Sequence, residues 1–256
     1  MSKPVKKATV VVSKQQLSEG IFSMWLEEKE IADAAKAGQF VSVYCDSKEH
    51  LLPRPISICE VDKEVGRIRL VFRVAGEGTK EISEKEVGDS VWILGTLGNG
   101  YTLEGTKAIL VGGGIGIPPM LQLAKELPCE KVIVLGYRNK DTFLDEEFKK
   151  YGKVVYATDD GSLGTKGTVI DAIREHNLTA DIVYACGPKP MLKGIKTFAE
   201  ELGIPAQISL EERMACGIGA CLGCVCKSKE KDHHSHVNNK RVCKDGPVFY
   251  AEEVEL

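Results

Sequence analysis

Short runs in which apolar and polar residues alternate make up the first part of the chain, and turns rich in glycine and charge separate them. Strict alternation is typical of a β-strand with one buried face. Six such runs occur, at residues 10–13, 21–27, 39–45, 55–61, 67–74 and 89–95. Six short strands, with room for one helix among them, predict a closed antiparallel β-barrel over residues 1–103.

The pattern changes near residue 104, where apolar runs begin to alternate with helical segments. The runs fall at residues 108–111, 132–136, 154–157, 182–186 and 207–210. Two of the helices carry apolar residues at helical spacing, namely Met120, Leu123, Ala124 and Leu127 in one and Met191, Ile195, Phe198 and Leu202 in the other. Strands that alternate with helices predict a doubly wound parallel sheet over residues 104–210.

The remaining segment, residues 211–256, is too short to bury much core of its own, so a bound group must help to hold it together. A chain of 256 residues is long enough for two sizeable cores and such an appendage. The sequence therefore predicts three units.

The net charge and the distribution of apolar residues limit the kinds of partner that the chain can bind. The 34 basic and 37 acidic residues leave a net charge of −3, which offers no general attraction for nucleic acid or an anionic membrane. The first ten residues lack the apolar core of a signal peptide, and the most apolar later stretch, residues 108–120, is interrupted by four glycines and two prolines. We expect a cytoplasmic protein that binds neither nucleic acid nor a membrane.

Nine cysteines in such a chain indicate metal or redox chemistry rather than disulfides. Three form a C-x4-C-x2-C run and a fourth follows later, which is the ligand spacing of a plant-type [2Fe-2S] cluster. The predicted ligands are Cys216, Cys221, Cys224 and Cys243. A structural zinc site also uses four thiolates, although zinc sites usually pair their cysteines as C-x2-C, and it stays open as the alternative.

Sequence spacing gives less support for metal binding by the other cysteines and the histidines. Cys226 lies in a strand that leaves the cluster loop, and we predict that it points away from the cluster. Three histidines among charged residues can bind zinc but are interpreted as part of a solvated loop: His233, His234 and His236. Three cysteines without partner spacing are interpreted as packing residues: Cys45, Cys59 and Cys129.

Two segments of the predicted barrel suit a flavin nucleotide. Arg54, followed by Pro55, Ile56 and Ser57 at the head of a strand, can set a cation against a phosphate and a hydroxyl near the flavin ring. Gly78 and Thr79 can offer backbone amides to a pyrophosphate. Each segment alone also fits a surface strand start or a plain turn.

A glycine loop joins the first strand of the predicted sheet to a helix: Gly112, Gly113, Gly114, Ile115 and Gly116. Such a loop exposes backbone amides and the helix dipole to a diphosphate, and Pro118 suits the first helical turn. It departs from the G-x-G-x-x-G pattern, and a tight turn without a ligand is the alternative. Other strand ends meet the same edge: Tyr137 with Arg138, Asp159 with Asp160, and Cys186 with Gly187 and Pro188. The two aspartates are interpreted as turn formers.

In this order, these motifs resemble the ferredoxin-reductase family of FAD- and NAD(P)-binding flavoproteins. The run from Glu211 to Cys224 and the segment from Cys243 to Phe249 narrow the resemblance to the electron-transfer subunits of NAD-dependent, type B dihydroorotate dehydrogenases, over the whole chain. The resemblance implies an FAD-binding barrel, an NAD-binding sheet, and a C-terminal cluster that faces a partner subunit carrying FMN and the pyrimidine site.

The resemblance also implies particular contacts. For FAD they are Arg54, Pro55, Ile56, Ser57, Val71, Phe72, Arg73, Gly78 and Thr79. For NAD they are Gly112, Gly113, Gly114, Ile115, Gly116, Tyr137, Arg138, Cys186, Gly187 and Pro188, with Cys186 near both nicotinamide and flavin. It further implies NAD rather than NADP, a heterotetramer with two copies of each chain, and a role in the de novo synthesis of UMP.

Electron counting fixes the order of the three groups. Nicotinamide accepts a hydride, whereas a [2Fe-2S] centre exchanges single electrons, so FAD, which can do both, must stand between them. We find no strong candidate for a substrate oxidation site outside the three units, and we expect electrons to arrive from another protein. Two alternatives remain: a flavin and iron–sulfur subunit of a ferredoxin–NADP transhydrogenase or sulfide dehydrogenase, and a non-redox protein that binds a nucleotide and zinc.

Overall fold

The N-terminal part of the chain is a closed antiparallel barrel with strand order β1-β2-β5-β4-β3-β6, which confirms the predicted class. The computed structural model describes residues 4–231 and 236–256. The barrel strands are β1 (Val5–Ser18), β2 (Ile21–Glu27), β3 (Phe40–Val43), β4 (Arg54–Asp62), β5 (Arg67–Arg73) and β6 (Ser90–Leu97). Two short helices lie between them, α1 (Lys29–Ala34) and α2 (Glu77–Ser83).

The alternating pattern forms the barrel because one residue in two points inward. In β6 the buried Val91 and Ile93 alternate with exposed Ser90 and Trp92. Strand β1 extends well beyond the predicted residues 10–13 because it pairs with both β2 and β6. Its outer positions carry lysine and glutamine, which hide the strand from a search for apolar runs.

The second unit is a seven-stranded sheet with order β10-β9-β8-β7-β11-β12-β15, in which β15 alone is antiparallel to its neighbour. The parallel strands are β7 (Lys107–Gly113), β8 (Glu130–Tyr137), β9 (Lys153–Thr158), β10 (Thr165–Lys166), β11 (Ile182–Cys186) and β12 (Ala206–Ser209). The helices are α3 (Ile117–Glu126), α4 (Asp145–Phe148), α5 (Val169–Glu175) and α6 (Lys189–Leu202). The predicted doubly wound parallel sheet is thereby confirmed.

The predicted apolar helix faces are confirmed in α3 and partly wrong in α6. All four predicted residues of the α3 segment are buried. In α6, Ile195 and Phe198 are buried and Met191 packs against the same core, whereas Leu202 is 52% exposed. Leu202 is the last helical residue before Gly203, where the chain turns away with a φ of 65°, so nothing covers its side chain.

The C-terminal segment is not structurally independent of the sheet. It contributes β13 (Val225–Lys227), β14 (Asn239–Arg241) and β15 (Val248–Tyr250), and β15 extends the sheet beside β12. Val242, Phe249 and Val254 are buried in the same core as residues of the sheet. The segment therefore shares a core with its neighbour, and the unit bounds at residues 103 and 210 remain a prediction.

The barrel and the sheet also pack through a common core. Val71 of β5 belongs to the same buried cluster as Leu110 of β7 and Tyr101 of the connecting segment. The Tyr101 hydroxyl donates a hydrogen bond of 3.1 Å to the carbonyl of Ala185, and the Val61 amide donates to Gln122 on α3 at 2.8 Å. Among the described helices, none combines the length and apolarity needed to span a membrane.

Candidate functional site

The four predicted cluster ligands come together as two pairs. The thiol of Cys216 interacts with that of Cys221, and the thiol of Cys224 with that of Cys243. Of these cysteines, Cys224 and Cys243 are buried and Cys221 is exposed. Two irons with two thiolates each match this arrangement.

The separation between the pairs bears on the zinc alternative. Four thiolates around one zinc, each about 2.3 Å from the metal, would all lie within about 4 Å of one another. In the described residues, no three of these cysteine sulfurs lie within 4.8 Å of one another. The sulfur positions therefore suit a two-iron cluster better than a single tetrahedral ion.

Backbone amides of the loop point at these sulfurs. The Cys243 sulfur accepts a hydrogen bond from the amide of Gly219 at 3.1 Å, and the Cys216 sulfur accepts one from Ala220 at 3.3 Å. The Cys224 sulfur accepts one from the Cys243 amide at 3.4 Å. Amide donors stabilise negative charge on sulfur, which suits thiolate ligands.

These contacts change the acidity of the thiols. Burial alone would raise the pKa of Cys216, but amide hydrogen bonds and the neighbouring Cys221 lower it to about 7. In the other pair, the hydrogen bond from Cys243 lowers the pKa of Cys224 to about 6, and the same shared proton raises the pKa of Cys243. Thiolates are the form that binds iron, so the loop favours metal binding.

Two glycines let the loop turn where the packing leaves no room for a side chain. Gly217 has a φ of 69°, and a Cβ there would lie 2.8 Å from Oγ of Ser42 on β3. Gly219 has a φ of 84°, and a Cβ there would lie 2.5 Å from the side chain of Lys244. The cluster loop thus rests directly on the barrel, a contact that no local sequence pattern signals.

The exposed side of the loop is apolar. Ile218 is 49% exposed and Leu222 is 41% exposed, and both flank the exposed Cys221. Met214, in contrast, packs against the core of the sheet. Ile218 and Leu222 therefore leave an uncovered apolar surface beside the cysteine pair nearest to solvent.

Cys226 lies in β13, two residues after Cys224. Its side chain packs against the core shared with the sheet, and burial raises its pKa to about 11. Its exclusion from the ligand set remains a prediction. The alternative zinc-binding segment falls mainly outside the described residues, since only His236 of its three histidines lies within them.

On the barrel, the guanidinium of Arg54 lies across Gly78. A Cβ at position 78 would stand 2.1 Å from Nη2 of Arg54, so a side chain there would have to displace the guanidinium. The first-turn amides of α2, including that of Gly78, have no partner within the helix. A fixed cation beside such amides suits a phosphate group, and these residues could hold the FAD diphosphate.

The other predicted flavin contacts divide into outward and inward side chains. Ile56 and Phe72 face the barrel core, and Phe72 stacks on Phe22 with a centroid distance of 6.3 Å. These two side chains are therefore unavailable to a ligand. The Thr79 hydroxyl accepts hydrogen bonds from the amides of Ala75 at 2.8 Å and Gly76 at 3.1 Å, so it shapes the turn before α2.

Pro55, Ser57 and Arg73 are left on the outside of the barrel, and Val71 lies at the buried contact with the sheet. The predicted FAD contacts are thus a mixture of side-chain and main-chain positions, and they remain predictions.

The glycine loop lies at the point where the strand order of the sheet reverses. Gly112 at the end of β7 is in register with Cys186 at the end of β11, and both are followed by a helix. A Cβ at Gly116 would stand 2.4 Å from the carbonyl oxygen of Cys186. Ligands of doubly wound sheets bind in this crevice, so the two segments could hold the NAD diphosphate and nicotinamide together.

Two further glycines leave room for the Met191 side chain of α6 beside this crevice. A Cβ at Gly113 would lie 2.5 Å from Sδ of Met191, and one at Gly187 would lie 2.5 Å from Cε of the same side chain. Pro188 is the N-cap residue of α6. The glycines therefore allow Met191 to approach closely, and the crevice lies against the α6 N-terminus.

The thiol of Cys186 is kept neutral. Burial raises its pKa to about 12, although a hydrogen bond with Ser209 on β12 acts in the opposite direction. A neutral thiol is a weak nucleophile, so Cys186 suits contact with a ligand rather than covalent chemistry. Ser209 was not found by sequence reasoning, because it reaches Cys186 only through strand pairing.

The other strand ends differ in what they present. Tyr137 is buried, and its hydroxyl donates a 2.8 Å hydrogen bond to the carbonyl of Phe143, so its ring is structural. Arg138 is exposed and can reach a ligand at the sheet edge. The amides of Asp159 and Asp160 donate to the carbonyls of Tyr137 and Arg138 at the end of the neighbouring strand, and the Asp160 carboxylate accepts a turn hydrogen bond from the Ser162 amide at 2.9 Å.

The flavin and nicotinamide candidates meet at one place. A Cβ at Gly114 would stand 3.6 Å from Nη2 of Arg73, at the end of β5. The 3₁₀ turn Gly114–Gly116 therefore lies against the barrel. This contact brings the predicted flavin and nicotinamide segments together.

Two family models match the chain. Residues 211–255 match the iron–sulfur cluster binding domain of dihydroorotate dehydrogenase B, and residues 110–197 match the oxidoreductase NAD-binding domain. A protein of Fusobacterium nucleatum named as the electron transfer subunit of dihydroorotate dehydrogenase B (NAD(+)) is 43% identical over 254 residues, covering 94% of this chain and 95% of that protein. One of the same name from Bacillus caldolyticus is 43% identical over 261 residues, covering 98% and 99%.

The chain belongs to the family of electron-transfer subunits of dihydroorotate dehydrogenase B. The predicted family is thereby confirmed. A solved chain of an NADH-dependent reduced ferredoxin–NADP oxidoreductase, described in connection with flavin-based electron bifurcation, has a TM-score of 0.87 and 32% identity, covering 97% of this chain and 90% of that one. A flavohemoglobin of Malassezia yamatoensis with bound FAD and heme has a TM-score of 0.64 at 22% identity, covering 78% and 57%, and shares the fold alone.

Proposed function

We propose that this chain carries electrons from a dihydroorotate-oxidising partner subunit to NAD, in the synthesis of UMP. The observation that carries the proposal is the pairing of four cysteine sulfurs, two by two, in a chain whose family relatives bear that function in their names. The Arg54–Gly78 contact and the glycine loop beside Cys186 support FAD and NAD sites next to each other.

The bound groups would supply the redox chemistry: single-electron exchange by the cluster, single- or two-electron exchange by FAD, and hydride acceptance by NAD. In the net reaction, dihydroorotate loses two electrons and two protons and becomes orotate. NAD takes up both electrons with one proton as a hydride, and the other proton passes to solvent. The oxidation itself would occur on the partner.

The chain's own residues would position these groups. Cys216 with Cys221, and Cys224 with Cys243, would each hold one iron, and the amides of Gly219 and Ala220 would raise the cluster potential. Ile218 and Leu222 would form the contact with the partner beside the exposed Cys221.

The finer features of the complex belong to the same proposal. We infer an FMN-carrying partner and a heterotetramer with two copies of each chain, as family resemblance implies. All nine cysteines are free thiols, which suits the reducing conditions of the cytoplasm.

Reconstitution tests the proposal. The chain would be co-expressed with the dihydroorotate-oxidising subunit of the same organism, purified without oxygen, and assayed for NAD reduction by dihydroorotate. We expect activity from the complex and none from either chain alone, with iron, FAD and FMN in the purified material. Size measurement of the complex tests the heterotetramer.

Two results would contradict the proposal. One is oxidation of dihydroorotate by the chain without a partner. The other is failure of the complex to pass electrons from dihydroorotate while reduced ferredoxin supports NAD(P) reduction, which would favour the ferredoxin–NADP oxidoreductase alternative.

A further inference from the structure

Three potential metal ligands converge on the barrel, away from the cluster cysteines. Cys45 follows β3, His50 lies in the loop before β4, and Glu81 belongs to α2. Their ligand atoms all lie within 4.8 Å of one another, and each residue is half-buried. Within the described ranges, no other group of three histidine, cysteine or acidic side chains meets this distance criterion.

The carboxylate of Glu81 is held in a fixed orientation. Its Oε1 accepts hydrogen bonds from the amides of Asp46 at 2.5 Å and Ser47 at 3.0 Å. Its Oε2 lies 2.8 Å from Nδ1 of His50. The loop therefore wraps around one side of the carboxylate and leaves the other oxygen directed at the imidazole.

Cys45 completes the group. Its sulfur lies 3.5 Å from the carbonyl oxygen of Gly78, and it is also a hydrogen-bonding neighbour of Glu81. An ion pair between Lys85 and Asp46 provides a second contact between the start of the loop and the end of α2. Sulfur, imidazole nitrogen and carboxylate oxygen thus face one small volume from three separate segments.

These three ligand types are the ones that zinc takes in proteins, and sites with three protein ligands leave a fourth position for water. A thiolate and a carboxylate together balance the charge of a divalent cation. We propose that Cys45, His50 and Glu81 form a binding site for zinc or a similar divalent cation, with a fourth position open to solvent. Cys45, interpreted from sequence as a packing residue, becomes a metal ligand.

The site would act on the barrel loop and not on electron transfer. It ties residues 44–53 to α2 directly beside Arg54 and Gly78.

The test uses the holoprotein with FAD and cluster in place. After treatment with a chelator and its removal, zinc chloride alone is titrated by calorimetry, and bound zinc is measured by elemental analysis. We expect the wild type to bind about one zinc more than Cys45→Ser or His50→Gln, and each variant to weaken this site by about tenfold or more. Zinc bound at other sites is the same in all of these proteins, so the difference in bound zinc between the wild type and a variant reports this site alone.

Cys129→Ser is the matched control, because Cys129 is a half-buried free thiol outside the group. Glu81→Gln provides a second probe that keeps an acceptor oxygen for the two loop amides. FAD content and cluster absorbance equal to those of the wild type establish folding of each variant. Equal zinc binding by the wild type, Cys45→Ser and His50→Gln would overturn the proposal, as would an equal loss in Cys129→Ser.

Discussion

At the residue scale, the predicted ligand cysteines interact in pairs. The thiol of Cys216 interacts with that of Cys221 and the thiol of Cys224 with that of Cys243, whereas burial is the main influence on the pKa of Cys226. We therefore expect Cys224→Ser to reduce iron from about two atoms per chain to almost none. Cys226→Ser should leave iron content and visible absorbance unchanged.

Iron analysis and the spectrum of the reduced protein measure both outcomes. Cys129→Ser serves as a control for general effects of removing a thiol. Loss of the cluster in Cys226→Ser and its retention in Cys224→Ser would show that Cys226, and not Cys224, is a ligand.

Sequence spacing was sufficient to nominate these residues, but it did not reveal their supports. Ser42 lies against Gly217, and Arg54 lies across Gly78, although neither pair is close along the chain. Such contacts depend on the tertiary fold, so a local pattern carries no trace of them. Tight packing favours glycine at both positions, and the φ of 69° at Gly217 gives a second reason there.

At the element scale, the turn after β6 holds the segment that follows Cys243. The Asn99 side chain donates hydrogen bonds to the carbonyls of Lys244 at 3.2 Å and Asp245 at 3.0 Å, and its amide donates to Gly246 at 2.6 Å. Removing one partner from half-buried hydrogen bonds costs about 1–3 kcal/mol. We expect Asn99→Ala to lose its cluster faster than the wild type on warming.

Bleaching of the cluster absorbance at fixed temperature measures this loss. Gln16→Ala is the control, because Gln16 makes an exposed hydrogen bond to the nearby Ser18 carbonyl. Bleaching of Asn99→Ala at the wild-type rate would show that the turn does not support the fourth ligand.

Strands and helices could be predicted where a local sequence pattern defines them. They were less predictable where pairing with a distant strand defines them. The six barrel strands and five parallel strands follow from their apolar runs. Strand β15 is short, and its partner β12 comes from a different part of the chain, so only the folded sheet defines it. The exposed Leu202 shows the same limit, since helical spacing does not reveal whether a neighbour covers the last turn.

At the scale of the whole molecule, the order of the units could be read from the sequence, but their mutual contacts could not. The barrel and the sheet share buried residues, and Arg73 reaches the turn at Gly114. These contacts set the distance between the predicted flavin and nicotinamide sites. Their basis is a small number of polar and apolar residues that the sequence alone gave no reason to pair.

Arg69 makes an ion pair between the barrel and the sheet. Its side chain is 8% exposed, and its Nη1 lies 2.6 Å from Oε2 of Glu147 on α4 and 3.4 Å from Glu60 of the barrel. Its Nε donates to Ser23 at 2.9 Å. Removing one partner of a fully buried ion pair costs about 3–5 kcal/mol, and the cost here is smaller because the Glu147 side chain is 35% exposed and screened by solvent.

We therefore expect Arg69→Met to lower the urea concentration at which bound FAD is released, measured by the rise in flavin fluorescence. Arg174→Met is the matched control, because Arg174 pairs with Glu201 on the surface at 2.9 Å with both side chains more than half exposed. Exposed pairs contribute about 0–1 kcal/mol, so this variant should remain near the wild type. Equal shifts in the two variants would mean that the Arg69 contact does not hold the barrel against the sheet, and that the apolar core alone fixes the spacing of the two nucleotide sites.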